Sequence, residues 1–225
     1  KPDIRFDMKL HEFEKYVQES DFNTFKTILD NKGRVKAIKC NNASLYTRKV
    51  IDEYTDWLKE YHHVKGLAWM KCINNSLDGG ISKFFNSETQ QLIINDLELK
   101  NDDILFIVGD RGKIALSALG ALRLKIAEKN NLIDYNKWAP IWIVDFPLVE
   151  WNENNQRWDA LHHPFTSPNF EDIDLLDSNP GKARSLGYDI VMNGYELGGG
   201  SIRIFDSKLQ SKIFDILGIS KDDAE

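Results

Sequence analysis

The side chains best suited to chemistry are Asp189, Glu196, Arg203 and His162, all in the last third of the chain. The stretch Leu186–Phe205 reads as two extended segments separated by glycines, with both acids and the arginine set among apolar neighbours. Taking a charge out of water is costly and is offset only by a partner, a metal or a ligand. Two carboxylates beside a polyphosphate can hold Mg2+. A guanidinium offers a planar fork that matches a carboxylate through two parallel hydrogen bonds. Upstream, Leu161-His-His-Pro-Phe-Thr-Ser-Pro168 forms a second polar cluster. Neighbouring strand residues face opposite ways, so one of His162 and His163 can face a site while the other faces away. From spacing alone, a pair of solvated strand acids and a structural salt bridge at Arg203 stay open as alternatives.

Geometry sets a condition on any shared site. Positions 189 and 196 are seven apart, as are 196 and 203. In an unbroken strand each pair would point to opposite faces. Breaks in regular pairing are therefore expected at Asn193-Gly194 and at Gly198-Gly-Gly200, where glycine tolerates turns and bulges. The glycine trio is not a phosphate-binding loop, because the lysine and the strand–loop–helix setting are missing.

The elements that must position these residues follow from periodicity. Leu10, Phe13, Tyr16 and Val17 predict a helix over 10–19. Segments 22–29 and 34–40 read as strands around the turn Asp30–Gly33. Val50, Ile51, Tyr54, Trp57, Leu58 and Tyr61 mark one stripe of an amphipathic helix starting near Thr47. A strand over 67–73 precedes a loop over 74–80, and Ser87-Glu-Thr-Gln90 has capping-box spacing for a helix to Leu97. A strand over 103–108 leads into a long helix through Leu116 and Ile126. Segment 140–150 then reads as one strand, 152–156 as a turn, 158–165 as the partner strand and 166–183 as a loop. A helix over 207–217 ends the pattern.

Several other features carry less. Cys40 and Cys72 have no further ligand at metal spacing and read as buried free thiols of a reducing compartment. His62-His63 reads as a helix end, and His163 as a structural histidine bonded to backbone. Lys32, Arg34, Lys36 and Lys39 would form either a solvated strand face or, less favoured, a stripe for nucleic-acid phosphates. The net charge of −6 does not advertise a nucleic-acid binder, so such a partner would need local basic patches. No apolar run approaches the roughly 18 residues that cross a bilayer, and no signal peptide opens the chain.

The two polar clusters together resemble the catalytic core of bacterial-type aspartyl-tRNA synthetases, which are class II enzymes. The pieces that carry the resemblance are His162-His-Pro-Phe-Thr-Ser-Pro168 and Asn193-Gly-Tyr-Glu-Leu-Gly-Gly-Gly-Ser-Ile-Arg203. Lys1-Pro-Asp-Ile-Arg5, Ala118–Lys125 and Trp138–Pro147 resemble flanking core segments, and 10–116 resembles the domain inserted into that core. The resemblance implies an α+β fold: a small inserted α/β domain over 10–116, and a partial antiparallel catalytic core over 1–9 and 117–225. It implies an aspartate–tRNA ligase that activates L-aspartate with ATP and Mg2+ and charges tRNA. His162 and Arg203 would hold aspartate, Glu196 would contact ATP, and Asp189 with Glu196 would bind the metal. The family's other class-defining motifs are not found in the chain. An internal piece of a longer, homodimeric, cytoplasmic enzyme is therefore expected, inactive by itself. The tRNA would be tRNA(Asp), with tRNA(Asn) left open. The rival reading is a non-catalytic tRNA-binding module, since domains like the insert occur in an amidotransferase subunit.

Overall fold

The computed structural model describes residues 1–220. The chain forms two compact units, one of Phe6–Ile133 and one of Lys1–Arg5 with the chain from Asp134 onward. Every strand pair within its sheets is antiparallel and helices flank the strands, so the class is α+β as expected.

In the unit Phe6–Ile133, strands β1 (Leu10–Glu12), β2 (Arg34–Asn41), β3 (Ala68–Ile73), β4 (Ser76–Asp78) and β5 (Asp103–Asp110) form one sheet in the order β1-β2-β5-β3-β4. Helices α1 (Glu14–Gln18), α2 (Asn23–Asp30) and α4 (Ser87–Asp96) cover one face, while α3 (Arg48–His62) and α5 (Gly112–Lys129) cover the other. Central β5 is buried along its whole length. Its alternation sends Ile104, Phe106 and Val108 towards α3 and α5, and Leu105 and Ile107 towards α1, α2 and α4. Helix α5 packs on this sheet through Ala115, Ala118, Leu119, Leu122 and Ile126.

Four local expectations are corrected here. Residues 10–12 pair with β2 instead of opening a helix, because the sheet edge supplies hydrogen bonds that helical periodicity cannot foresee. Segment 22–29 is helical, not extended: Phe22 and Phe25, three apart, stack edge to face at 4.8 Å. The supposed loop 74–80 holds a hairpin, turning on Asn74 and Asn75 with φ of 49° and 59° before β4. The cap of α4 is Asn86, which accepts the Thr89 N–H at 2.8 Å, one residue ahead of the capping-box reading. Of the four basic residues, Lys32 is exposed in the turn before β2 and Arg34 is exposed too, as a solvated face requires, yet three of the four are engaged within the chain. Lys36 is buried and pairs with Glu12 and Glu14, Arg34 pairs with the same two acids, and Lys39 donates to the Leu97 and Glu98 carbonyls.

In the other unit, β6 (Pro140–Ile143), β9 (Gly187–Met192) and β10 (Tyr195–Ser201) form a sheet in the order β10-β9-β6. The expected single strand 140–150 is broken at Val144–Leu148. Its second half, β7 (Val149–Asn152), pairs instead with β8 (Arg157–Ala160) as a separate hairpin. The expected loop 166–183 contains the short helix α6 (Leu175–Ser178). Helix α7 (Ser207–Leu217) starts at Asp206, whose carboxylate accepts the Leu209 N–H at 2.8 Å. A small core of Leu148, Val149, Leu176, Ala183, Ile213 and Leu217 joins the hairpin to the helices. Among the described residues no helix is long and apolar enough to cross a membrane.

Candidate active site

The site is built on the hairpin β9–β10. Asn193 and Gly194 turn the chain with φ of 53° and 87°, the paired positive values that a two-residue hairpin loop requires. Glu196 then lies opposite Val191, and Gly199 opposite Asp189. Residues directly opposite in an antiparallel pair share a face, and Val191 shares a face with Asp189 two positions away. The turn thereby brings Glu196 onto the face of Asp189.

A second interruption lies between Glu196 and Gly198, where Leu197 is the extra residue of a bulge. Beyond it Gly198, Gly199 and Gly200 pair regularly with Ile190, Asp189 and Tyr188. The ladder is thus broken beside both glycine sites, although the second break precedes the trio. The bulge shifts parity by one, so the alternation through Gly199 and Ser201 aims position 203 at the face that carries Glu196.

Glycine at 199 has a steric cause. A Cβ there would fall 2.3 Å from the Asp189 Oδ1 and 2.9 Å from the Tyr188 carbonyl oxygen. The Asp189 carboxylate therefore lies across the opposite strand, and this acid is only 7% exposed. Its visible partner is the Lys1 ammonium, whose Nζ lies 3.1 Å from Asp189 Oδ2 and 2.5 Å from Glu196 Oε2. These bonds raise the Lys1 pKa, the Glu196 contact contributing most.

His162 is exposed, and its ring meets Phe146 edge to face at 4.5 Å. The ring lies over Gly187, where a Cβ would come within 3.3 Å of Nδ1. Gly187 is two positions from Asp189 on the same face of β9. His163 behaves differently: its Nδ1 accepts the Phe165 N–H at 3.1 Å, the structural role expected for it. The main chain at Arg203 bridges Thr166, held by Ser167 N donating to Ile202 O at 2.8 Å and Ile204 N donating to Phe165 O at 2.9 Å. Thr166 Oγ1 also donates to Ser201 Oγ at 3.1 Å. Among the described residues the Arg203 guanidinium has no hydrogen bond or ion pair, so it is not absorbed into a local salt bridge.

The arrangement gathers Asp189, Glu196 and the His162 ring on one face, with Arg203 delivered to that face by register. Lys1 and Gly187 have no role at the site in the sequence reading, and Gly199 enters it only as a member of the glycine trio. Lys1 is 188 positions from Asp189, and no local pattern connects them. The two glycines could have been found by asking what stands across the hairpin from each acid. Elsewhere in this unit Arg184 binds Asp172 through Nε at 2.8 Å and also pairs with Glu171, which holds the Asp172 carboxyl down at about 2. That cluster braces the loop and leaves no donor set for a ligand.

A family model described as tRNA synthetases class II (D, K and N) matches residues 1–225. The chain is 44% identical over 224 residues to a protein named aspartate–tRNA ligase from Clostridium botulinum strain 657. It is 45% identical over 225 residues to one of the same name from Staphylococcus haemolyticus. It is 43% identical over 224 residues to a protein named aspartate–tRNA(Asp/Asn) ligase from Caldanaerobacter subterraneus. Each match covers 100% of this chain and 38% of the relative, so the chain spans well under half the length of these proteins.

Proposed function

The chain belongs to the class II tRNA synthetases of the D, K and N group, and from that premise we propose that it is part of an aspartate–tRNA ligase. The whole protein would activate L-aspartate with ATP to aspartyl-adenylate and transfer the aspartyl group to the 3′ end of tRNA. The observation that carries this reading is the single face shared by Asp189, Glu196 and the His162 ring, with an unpaired arginine entering it. The family match over residues 1–225, beyond the insert alone, favours a ligase over a stand-alone tRNA-binding module resembling the insert.

Each residue has a role that its chemistry supports. The Arg203 fork would take the side-chain carboxylate of aspartate and leave donors poorly paired against asparagine. His162 would hold the same substrate, with Phe146 bracing its ring. Glu196 would contact ATP, and with Asp189 would hold Mg2+. Two carboxylate oxygens already gathered around the Lys1 ammonium fit a hard cation. Among the described residues there is no cluster of three or more possible ligands, so phosphates and water would have to supply the metal's other oxygens. Such a metal would neutralise the triphosphate when bound. This chain's own residues would supply positioning and charge complementarity, without a covalent enzyme intermediate.

The unit Phe6–Ile133 is read as the inserted domain, wider than 10–116 at both ends, and the remainder as partial catalytic core. The partners assigned to the whole protein are tRNA(Asp), L-aspartate and a second subunit, and its compartment is the cytoplasm. tRNA(Asn) is a further substrate to test, since the names of several relatives include it. The deciding experiment is ATP–pyrophosphate exchange in the full-length protein with Arg203→Leu. The KM for aspartate should rise steeply while that for ATP changes little, and unchanged aspartate activation would remove Arg203 from the pocket. The 225-residue chain alone is expected to show no exchange above background.

A further inference from the structure

We propose that Lys1 is a resident counter-cation of the acid pair, which occupies the metal's position and must leave before a divalent cation binds. The inference rests on the assignment of Asp189 and Glu196 as metal ligands and adds a competitor to that site. Two carboxylates on one strand face repel each other, and a positive charge between them relieves that repulsion while both stay ionised. Here that charge is the Lys1 Nζ, bonded to both acids at once. Neither acid has another ion-pair partner among the described residues.

The segment that carries Lys1 is anchored two residues further on, at Asp3. Asp3 is 3% exposed and receives the Arg5 guanidinium at 2.6 Å. Arg5 in turn lies over the Tyr135 ring, 5.3 Å from its centroid. Asp3 Cβ would lie 3.9 Å from a Cβ at Gly194, so the segment sits beside the turn of the hairpin. The Lys1 side chain itself is 42% exposed and ends a flexible four-carbon stem. An ammonium there can swing into solvent without disturbing the anchor.

Simultaneous occupancy is opposed by like charge. Mg2+ held by these same carboxylates would bring a divalent charge into close, unscreened contact with the ammonium at its present place. The metal and Lys1 must therefore alternate. In the metal-free state the lysine keeps the acids apposed and the face close to neutral. Its cost is a lowered metal affinity, which a metal arriving with a polyphosphate overcomes more easily than a bare ion.

Mn2+ binding to the full-length protein, followed by the loss of free-ion electron paramagnetic resonance signal, tests this directly. Lys1→Met should bind Mn2+ about three- to tenfold more tightly than the parent sequence, while Lys1→Arg, which keeps the charge, should stay near it. Circular dichroism checks that each variant is folded. Equal or weaker binding by Lys1→Met overturns the counter-cation role while leaving the metal ligands in place. The double variant Asp189→Asn, Glu196→Gln sets the background. If the parent and Lys1→Met bind no more Mn2+ than that variant does, the metal assignment fails, and Lys1 is a plain structural ion pair.

Discussion

Gly199 stands directly across the hairpin from Asp189, and the space its missing side chain leaves is filled by the Asp189 carboxylate. The glycine thus acts on the acid and not on the backbone alone. Gly199→Ala would drive a methyl to 2.3 Å from Oδ1, so the carboxylate or the strand must move. In the full-length protein, ATP–pyrophosphate exchange should fall at least about tenfold, because a displacement of an ångström at a positioning group has that scale of effect. Retention of full exchange activity would show that the Asp189 position does not matter to the reaction.

The five-stranded unit gives a stability prediction independent of function. Phe106 is fully buried on β5 and meets the Tyr46 ring at 5.2 Å and the Tyr54 ring at 6.2 Å. Phe106→Ala should destabilise this unit by about 3–5 kcal/mol, the transfer loss plus the cavity. Urea unfolding followed by far-ultraviolet dichroism measures it, and a loss below about 1 kcal/mol would mean that this aromatic cluster packs loosely.

The sequence revealed most where local chemistry decides structure. The stripe from Val50 to Tyr61 became α3, with Thr47 as its cap. Strand parity required an interruption between Asp189 and Glu196 and another between Glu196 and Arg203, and both exist, although the second falls at Leu197, just before the glycine trio where it was expected. It stayed silent where distant partners decide. Residues 10–12 are extended because Ile38, Ala37 and Lys36 offer a sheet edge, a fact that no window around Leu10 contains. Strand 140–150 could not be seen to break, because Pro147 and Leu148 turn towards a different hairpin and core. Lys1 was invisible for the same reason: its partners lie at the far end of the chain.

Acid should loosen the C-terminal unit through Asp172. Arg184, donating through side chain and backbone, lowers the folded-state pKa of this acid to about 2, below its ordinary value. A depressed carboxylate pKa stabilises the fold above the unfolded-state value, and the contribution fades as pH falls through the folded one. The melting temperature should therefore drop between about pH 4 and pH 2. Asp172→Asn should melt lower at neutral pH and show a flatter profile over that window. A variant with the wild-type slope would assign the acid sensitivity to other groups.

The thiols give a test that uses no ligand. Cys40 is 2% exposed, on the α3 and α5 side of the sheet, beside the Met8 sulfur at 3.9 Å. Burial pushes its pKa up to about 12, and burial raises that of Cys72 as well. Only the thiolate attacks a disulfide reagent, so both groups should be inert at pH 8 in the folded chain. With Ellman's reagent, colour should develop only after guanidinium unfolds the protein, and both cysteines should then react fully. The two residues lie in opposite cores of one sheet, Cys40 with α3 and α5 and Cys72 with α1, α2 and α4. A single Cys→Ser variant of each assigns any early reaction to one layer. Prompt labelling of Cys40 in the native protein would mean that the layer between β2 and α5 opens on the timescale of the assay, and that the sheet is not the rigid platform its packing implies.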